Sequence, residues 1–215
     1  MLLALLTALT LSAEPVDLSA PPVVALVPLG EVDDATLQAV RDGIAAHARV
    51  TVRIDPVRPL PPEAYYPPRK RWRAEKILDA LDADPPKDAW KVVALTAGEI
   101  STTKDNIKDW GIGGLGTIGG RSCVVSTFLV RKHSREQATY QRRMSDLAVH
   151  EFGHTLGLDH CPSRGCVMSD AQGKLIRSLD SSTGEFCDTC RHALQEGLLQ
   201  ISARPRQPAA LGPSR

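Results

Sequence analysis

The chain of 215 residues predicts an α/β fold built on a mixed, twisted sheet of about five strands. Apolar runs of strand length alternate in the first half with segments of helical periodicity, an order typical of a largely parallel sheet. Two strand-like segments then follow each other without a helix between them, which makes the sheet mixed. A long helix and a short cysteine-rich segment come next. The length is sufficient for one domain with a single core.

The first elements are predicted from hydrophobic patterning. Val23–Leu29 is a nearly continuous apolar run of strand length. Residues 33–48 place apolar side chains on one helical face, and residues 50–57 alternate as a second strand does. The proline-rich stretch 59–68 is interpreted as a loop.

A second helix and a third strand are expected at residues 71–81 and 91–97. Two further strands, at residues 112–118 and 122–130, follow without a helix between them. A basic cluster at the start of the helix is interpreted as its solvated face rather than as a nucleic-acid surface. The cluster consists of Arg69, Lys70, Arg71 and Arg73.

A glycine-rich segment at residues 111–116 matches the dinucleotide-binding pattern GxGxxG. We reject that function, because the polar stretch 104–110 before it does not predict a strand and β-branched residues after it do not open a helix. A glycine-rich bend followed by an edge strand, which another backbone can approach closely, accounts better for the segment.

The next helix is predicted over residues 135–157. Ser134 and Gln137 have the spacing of a capping box at its start, and Gly157 ends it.

Within this helix, His150 and His154 stand four residues apart, which stacks two imidazoles on one face with Glu151 beside them. Gly157 lets the backbone turn sharply, so that His160 returns as a third nitrogen ligand. The extended pattern HExxHxxGxxH reduces chance matches roughly a thousandfold relative to HExxH alone. Three histidines leave one position of a tetrahedral zinc open, as in catalytic sites.

Four cysteines follow the third histidine in two pairs. They are Cys161, Cys166, Cys187 and Cys190. This spacing favours a second, structural zinc held by four thiolates. Two disulfides are the alternative in an exported protein. A redox-active CxxC needs a thioredoxin-like βαβ setting, which the sequence does not indicate.

The run HEFGHTLGLDHCPSRGCVM followed by CDTC resembles the archaemetzincins, a metzincin-type family of zinc peptidases. The segments VVALVPLG, RKRWRAEKIL and GGRSCVVSTFLV resemble the strand, helix and strand of that family, so the resemblance spans about residues 23–192.

The resemblance implies a metzincin-like zincin fold with a small, zinc-stapled C-terminal subdomain. It also implies that two zinc ions bind per chain, with Met168 as the Met-turn residue beneath the catalytic metal. Carried over by position, the catalytic zinc ligands are His150, His154 and His160, the general base and acid is Glu151, and the structural zinc ligands are Cys161, Cys166, Cys187 and Cys190. An edge strand near residues 114–119 would then lie along the cleft and pair with the substrate.

These observations predict a zinc metallopeptidase that hydrolyses peptide bonds through a zinc-bound water, with Glu151 as general base and acid. A zinc-bearing binding or scaffold protein with little turnover is the alternative, and the presence of Glu151 argues against it. The expected partners are a peptide or protein substrate, with no nucleic acid and no stable membrane anchor. The 26 basic and 25 acidic residues nearly balance, so the net charge does not favour binding to nucleic acid or to anionic membranes. The chain is expected to be a monomer.

The apolar N-terminal run is too short to span a bilayer and fits a secretory signal, so export to the periplasm or the medium is expected, with a cytoplasmic protein as the alternative. The predicted organisation is a signal peptide at 1–13, a linker at 14–22, a metallopeptidase domain at 23–201 (upper subdomain 23–157 and lower subdomain 158–201) and a disordered tail at 202–215.

Overall fold

The computed structural model describes residues 20–202, with side chains through residue 196. The signal peptide predicted at residues 1–13, most of the linker and almost all of the predicted tail lie outside the described residues. The strands are β1 (Val23–Leu29), β2 (Thr51–Ile54), β3 (Tyr65–Tyr66), β4 (Arg71–Arg73), β5 (Lys91–Thr96), β6 (Ile100–Lys104), β7 (Ile107–Ile112), β8 (Gly114–Gly116) and β9 (Ser122–Ser126). The helices are α1 (Asp34–His47), α2 (Ala74–Ala83), α3 (Thr127–Lys132), α4 (Gln137–Thr155), α5 (Leu175–Ser181) and α6 (Asp188–Ser202).

The main sheet has five strands in the order β2-β1-β5-β9-β8 and confirms the predicted mixed sheet. The first four strands are parallel, and β8 pairs antiparallel with β9 at one edge. Alternate residues of the central strands enter two cores: Leu26 and Leu95 face α1 and α4, whereas Val27 and Ala94 face α2. Strands buried on both faces explain why these segments are apolar without alternation.

A second sheet of four short strands, β3-β4-β6-β7, was not predicted from the sequence. Arg71–Arg73 forms β4, so the prediction of a helix from residue 71 is wrong for its first turn, and the helix begins at Ala74. The prediction that the polar stretch 104–110 is not a strand is also wrong, because Ile107–Ile112 forms β7. Both strands are stabilised by pairing within the second sheet, and none of their side chains is fully buried, so they carry little apolar signal.

Other boundaries also differ from the predictions. The strand expected at 50–57 is limited to Thr51–Ile54, and the one expected at 122–130 ends at Ser126, where the Ser126 side chain caps α3. The predicted capping box is wrong: Glu136 is the N-cap of α4 without a side-chain bond, and the Ser134 hydroxyl accepts from Arg143 instead.

Helix α4 packs between the sheet, α1 and the C-terminal segment, and this packing positions the site. An ideal Cβ on Gly43 would lie 2.0 Å from Ser145 Oγ and 3.2 Å from Ser145 Cβ, so α1 and α4 pack closely at this glycine. The last turn of α4 ends at Thr155, and Gly157, with φ +93°, redirects the chain as predicted. Among the described residues, none of the helices combines the length and apolar character needed to cross a membrane.

Candidate metal centre

Three imidazoles converge where α4 ends. The ring centroids of His150 and His154 are 4.7 Å apart, and His160 lies 5.4 and 4.9 Å from them. One side-chain nitrogen from each histidine lies within 4.8 Å of the others, so the three can hold one metal ion. The structure therefore brings together the three residues that the sequence pattern singled out.

Backbone carbonyls orient two of these rings. His150 Nδ1 lies 2.8 Å from the Val167 carbonyl oxygen, and His154 Nδ1 lies 2.8 Å from that of Leu158. A carbonyl only accepts hydrogen bonds, so both Nδ1 atoms carry the proton. Burial lowers the pKa of His150 to about 4 and also lowers the pKa of His154, which favours the neutral form of both rings.

The remaining nitrogens fit a divalent metal. The Nε2 atoms of His150 and His154 carry lone pairs and lie 3.1 Å apart. Two lone pairs at this distance repel each other unless a cation lies between them. Nitrogens bound at about 2.0–2.1 Å in a tetrahedral zinc site are about 3.3 Å apart, close to the observed separation.

Glu151 lies against the edge strand β8. Its side chain is 6% exposed, and burial raises its pKa to about 8 while the backbone N–H of Gly116 lowers it. An ideal Cβ on Gly114 would lie 2.6 Å from Glu151 Oε1, and one on Gly116 would lie 2.6 Å from the Glu151 carbonyl. Both glycines are therefore required for β8 to contact the helix directly.

The open edge of β8 faces away from β9. The Ser126 N–H donates to the Gly113 carbonyl at 2.7 Å, so Gly113 is bonded toward β9. Bonded and free residues alternate in an antiparallel pair, so the polar backbone groups of Gly114 and Gly116 point to the open edge.

Met168 lies beneath the histidines and is fully buried. Its Sδ would be 2.6 Å from an ideal Cβ on Gly153, the residue directly before His154. The Met168 carbonyl accepts the Cys161 N–H at 2.8 Å. Helix α4 therefore packs directly against Met168 at Gly153.

The four predicted cysteines form a second cluster. Their sulfurs all lie within 4.8 Å of one another, and each of the four is a free thiol: Cys161, Cys166, Cys187 and Cys190. The Sγ atoms of Cys161 and Cys187 are 3.7 Å apart, whereas a disulfide is about 2.05 Å long. Sulfurs bound at about 2.3 Å in a tetrahedral zinc site are about 3.8 Å apart, so the donor set fits zinc.

The thiols of the cluster differ in their pKa values. A hydrogen bond from the Cys190 backbone N–H lowers the pKa of Cys187 to about 6, and burial raises the pKa of Cys190. Cys123 lies apart from the cluster, fully buried on β9, as expected for a core residue.

A cleft of about 430 Å³ opens beside Glu151. Its walls come from α4, from α5, from the loop after Met168 and from the β6–β7 hairpin, and they include Leu147, Val167, Leu175, Leu179 and Trp110. Sequence analysis missed the hairpin wall. The signal was present in Asp105 and Asn106, a two-residue turn between segments rich in β-branched residues, with Asp105 at φ +52°.

Comparisons with known proteins agree on one family. A model for "Peptidase family M54" matches residues 68–196. The chain is 33% identical over 140 residues to the archaemetzincin of Methanopyrus kandleri, which covers 65% of this chain and 74% of that protein. It is 28% identical over 173 residues to the archaemetzincin of Haloarcula marismortui, covering 77% of this chain and 95% of that protein.

Solved structures agree with this result. The crystal structure of the Methanopyrus kandleri archaemetzincin matches with a TM-score of 0.74 and 26% identity, over 86% of this chain and 99% of that chain. A zinc-dependent peptidase from Methanocorpusculum labreanum shares the fold, with a TM-score of 0.66 and 22% identity over 80% of this chain and 99% of that chain.

The fold, the histidine cluster and these matches define a zinc metallopeptidase, an enzyme that acts on peptide or protein substrates. Within that class, the chain belongs to peptidase family M54, the archaemetzincins.

Proposed function

We propose that the catalytic zinc is held by His150, His154 and His160 and that Glu151 is the general base and acid of peptide hydrolysis. The observation that carries this proposal is the pair of unprotonated Nε2 atoms 3.1 Å apart on the helix turn that also carries Glu151. When bound, zinc supplies a Lewis acid that polarises a carbonyl and increases the acidity of water.

Backbone and side-chain groups of the protein orient the zinc ligands and transfer the proton. The Val167 and Leu158 carbonyls fix the tautomers of His150 and His154, which leaves Nε2 free to bind. The Glu151 carboxylate takes a proton from the attacking water and later delivers it to the leaving amine.

The substrate is proposed to bind as an extended strand along the open edge of β8. The backbone groups of Gly114 and the carbonyl of Gly116 would pair with the peptide and place its carbonyl beside Glu151, while the Gly116 N–H donates to the Glu151 carboxyl group. Replacing Gly116 by proline also brings side-chain atoms against the Glu151 carbonyl, so this variant changes packing as well as pairing. Peptides N-methylated at single positions are the cleaner probe: KM should rise at alternate positions only, and a uniform response would contradict strand pairing.

Two variants test the assigned roles. Glu151→Ala should retain zinc and lose hydrolysis of a peptide library, because the three nitrogen donors remain. His154→Ala should lose the catalytic zinc. Peptidase turnover by Glu151→Ala at the parent rate would refute the role of Glu151, and chelator inhibition of the parent is the control.

We further propose that the four cysteines bind a second zinc. The 3.7 Å separation of the Cys161 and Cys187 sulfurs supports this assignment. Metal analysis of the purified chain should find about two zinc ions per chain, and about one would favour disulfides.

A further inference from the structure

Lys91 is a buried cation that the proposed mechanism does not use. It is the first residue of β5 and is 6% exposed. Its Nζ donates to the Thr155 carbonyl at 2.5 Å and to the Gly120 carbonyl at 2.6 Å. The same ammonium lies 5.3 Å from the centre of the Trp90 ring.

The Thr155 carbonyl belongs to the last residue of α4. The final carbonyls of a helix have no partner within it and need other donors. Here the His154 carbonyl accepts from Gly157 N–H and Gly119 N–H, both at 2.9 Å, and Lys91 supplies the donor for Thr155. A positive charge at this position also interacts favourably with the helix dipole.

The Gly120 carbonyl belongs to the segment that leaves β8. Residues 117–120 are thus joined to the end of α4 by two links, the Gly119 N–H to the His154 carbonyl and the Lys91 bridge. One end of α4 carries His154 and leads to His160. Lys91 therefore joins the segment between β8 and β9 to the end of the helix that carries His150 and His154.

We propose that Lys91 is a positioning residue of the peptidase, which sets the edge strand β8 at its working distance from the histidine cluster. It acts through two backbone carbonyls and contacts neither the histidines nor the cleft. Burial lowers the pKa of Lys91 to about 8, so the amine still carries its charge near pH 7.

The test uses Lys91→Met, which keeps most of the length of the side chain and removes the donors, and Lys91→Arg, which keeps charge and donors. Lys91→Met should retain its zinc and show KM raised about tenfold to a hundredfold, the range expected for loss of charged hydrogen bonds, with a smaller change in kcat. Amide exchange at Gly119 should become faster. Lys91→Arg should restore KM at least in part.

Leu78→Ala is the control, because Leu78 is buried on α2 and does not line the cleft, and its truncation destabilises the fold while both Lys91 hydrogen bonds remain. At a temperature where all variants are folded, this control should keep the parent KM and Gly119 exchange. Lys91→Gln is a second variant for the case that Lys91→Met does not fold. The glutamine amide is a neutral hydrogen-bond donor and removes only the charge.

An unchanged KM together with unchanged Gly119 exchange in the Lys91 variants would overturn the proposal. An equal rise of KM in Leu78→Ala would do so as well. The exchange measurement needs no turnover, so it remains decisive even if the role assigned to Glu151 fails.

Discussion

Gly153→Ala tests how tightly Met168 is packed beneath the histidines. The added methyl group would lie 2.6 Å from Met168 Sδ, 3.3 Å from its Cε and 3.5 Å from a ring carbon of Phe186. Met168 is fully buried, so it has no solvent-filled space into which to move. Relief of the first contact therefore requires a shift of the chain around Met168.

Overpacking and helix propensity have opposite effects on the stability of Gly153→Ala. Overpacking of this kind costs about 1–3 kcal/mol. Replacing glycine by alanine inside a helix returns about 1 kcal/mol. We expect Gly153→Ala to lower the free energy of unfolding by about 0–2 kcal/mol in urea titrations. The rate of peptide hydrolysis should fall by more than the loss of folded protein explains, because the displaced segment includes the Val167 carbonyl that orients His150.

In the Met168→Ala background, the effect of Gly153→Ala on the free energy of unfolding should have the opposite sign. Without the Met168 sulfur, the new methyl group meets no close contact there, and the helix propensity gain of about 1 kcal/mol remains. Gly153→Ala should therefore stabilise the Met168→Ala protein while it destabilises the parent. The same sign and size in both backgrounds would refute the reasoning, because a double-mutant cycle isolates the contact between the two residues.

Three further outcomes are expected. Gly43→Ala should lower the free energy of unfolding by about 0–2 kcal/mol in urea titrations, because the methyl group meets Ser145 while the helix gains about 1 kcal/mol from the loss of glycine. Ser145→Ala in the same chain should recover most of the loss, and no recovery would contradict the contact. Cys187→Ser should reduce bound zinc by one ion per chain, and unchanged metal content would exclude the thiolate site. Burial lowers the pKa of Lys91 to about 8 from 10.5, so the unfolded chain binds more protons between these values. The free energy of unfolding should rise with pH in this window more steeply in the parent than in Lys91→Met, and equal slopes would contradict it.

The parts of the fold that could be predicted are those whose stability depends on burial. Val23–Leu29 has the same bounds in sequence and structure because both faces of this strand are covered by helices. The β6–β7 hairpin escaped prediction because its strands are stabilised by pairing and by exposed polar contacts such as Arg73 with Thr103. The polarity that argued against a strand at Ile107–Ile112 is what an open hairpin shows on its solvent side.

The residues of the candidate site likewise include some that could be predicted from the sequence and some that could not. His150, His154 and Glu151 were found because one helix sets their spacing, and the turn at Gly157 is local as well. Lys91 was not found, because its importance lies in two carbonyls that are distant in sequence and become neighbours only after folding. A single lysine at the start of an apolar strand has no pattern by which sequence analysis could separate it from a solvent-facing residue.

Residues 166–169 connect the two donor clusters. Cys166 contributes a sulfur to one cluster, and the carbonyl of the next residue, Val167, orients His150 in the other. The Met168 carbonyl holds the N–H of Cys161, the residue that follows the third histidine. A metal bound by the four thiols would limit the motion of this segment, and through these two hydrogen bonds it would also limit the motion of the histidines. We therefore expect loss of the second zinc to weaken binding of the first, although the two sites share no ligand.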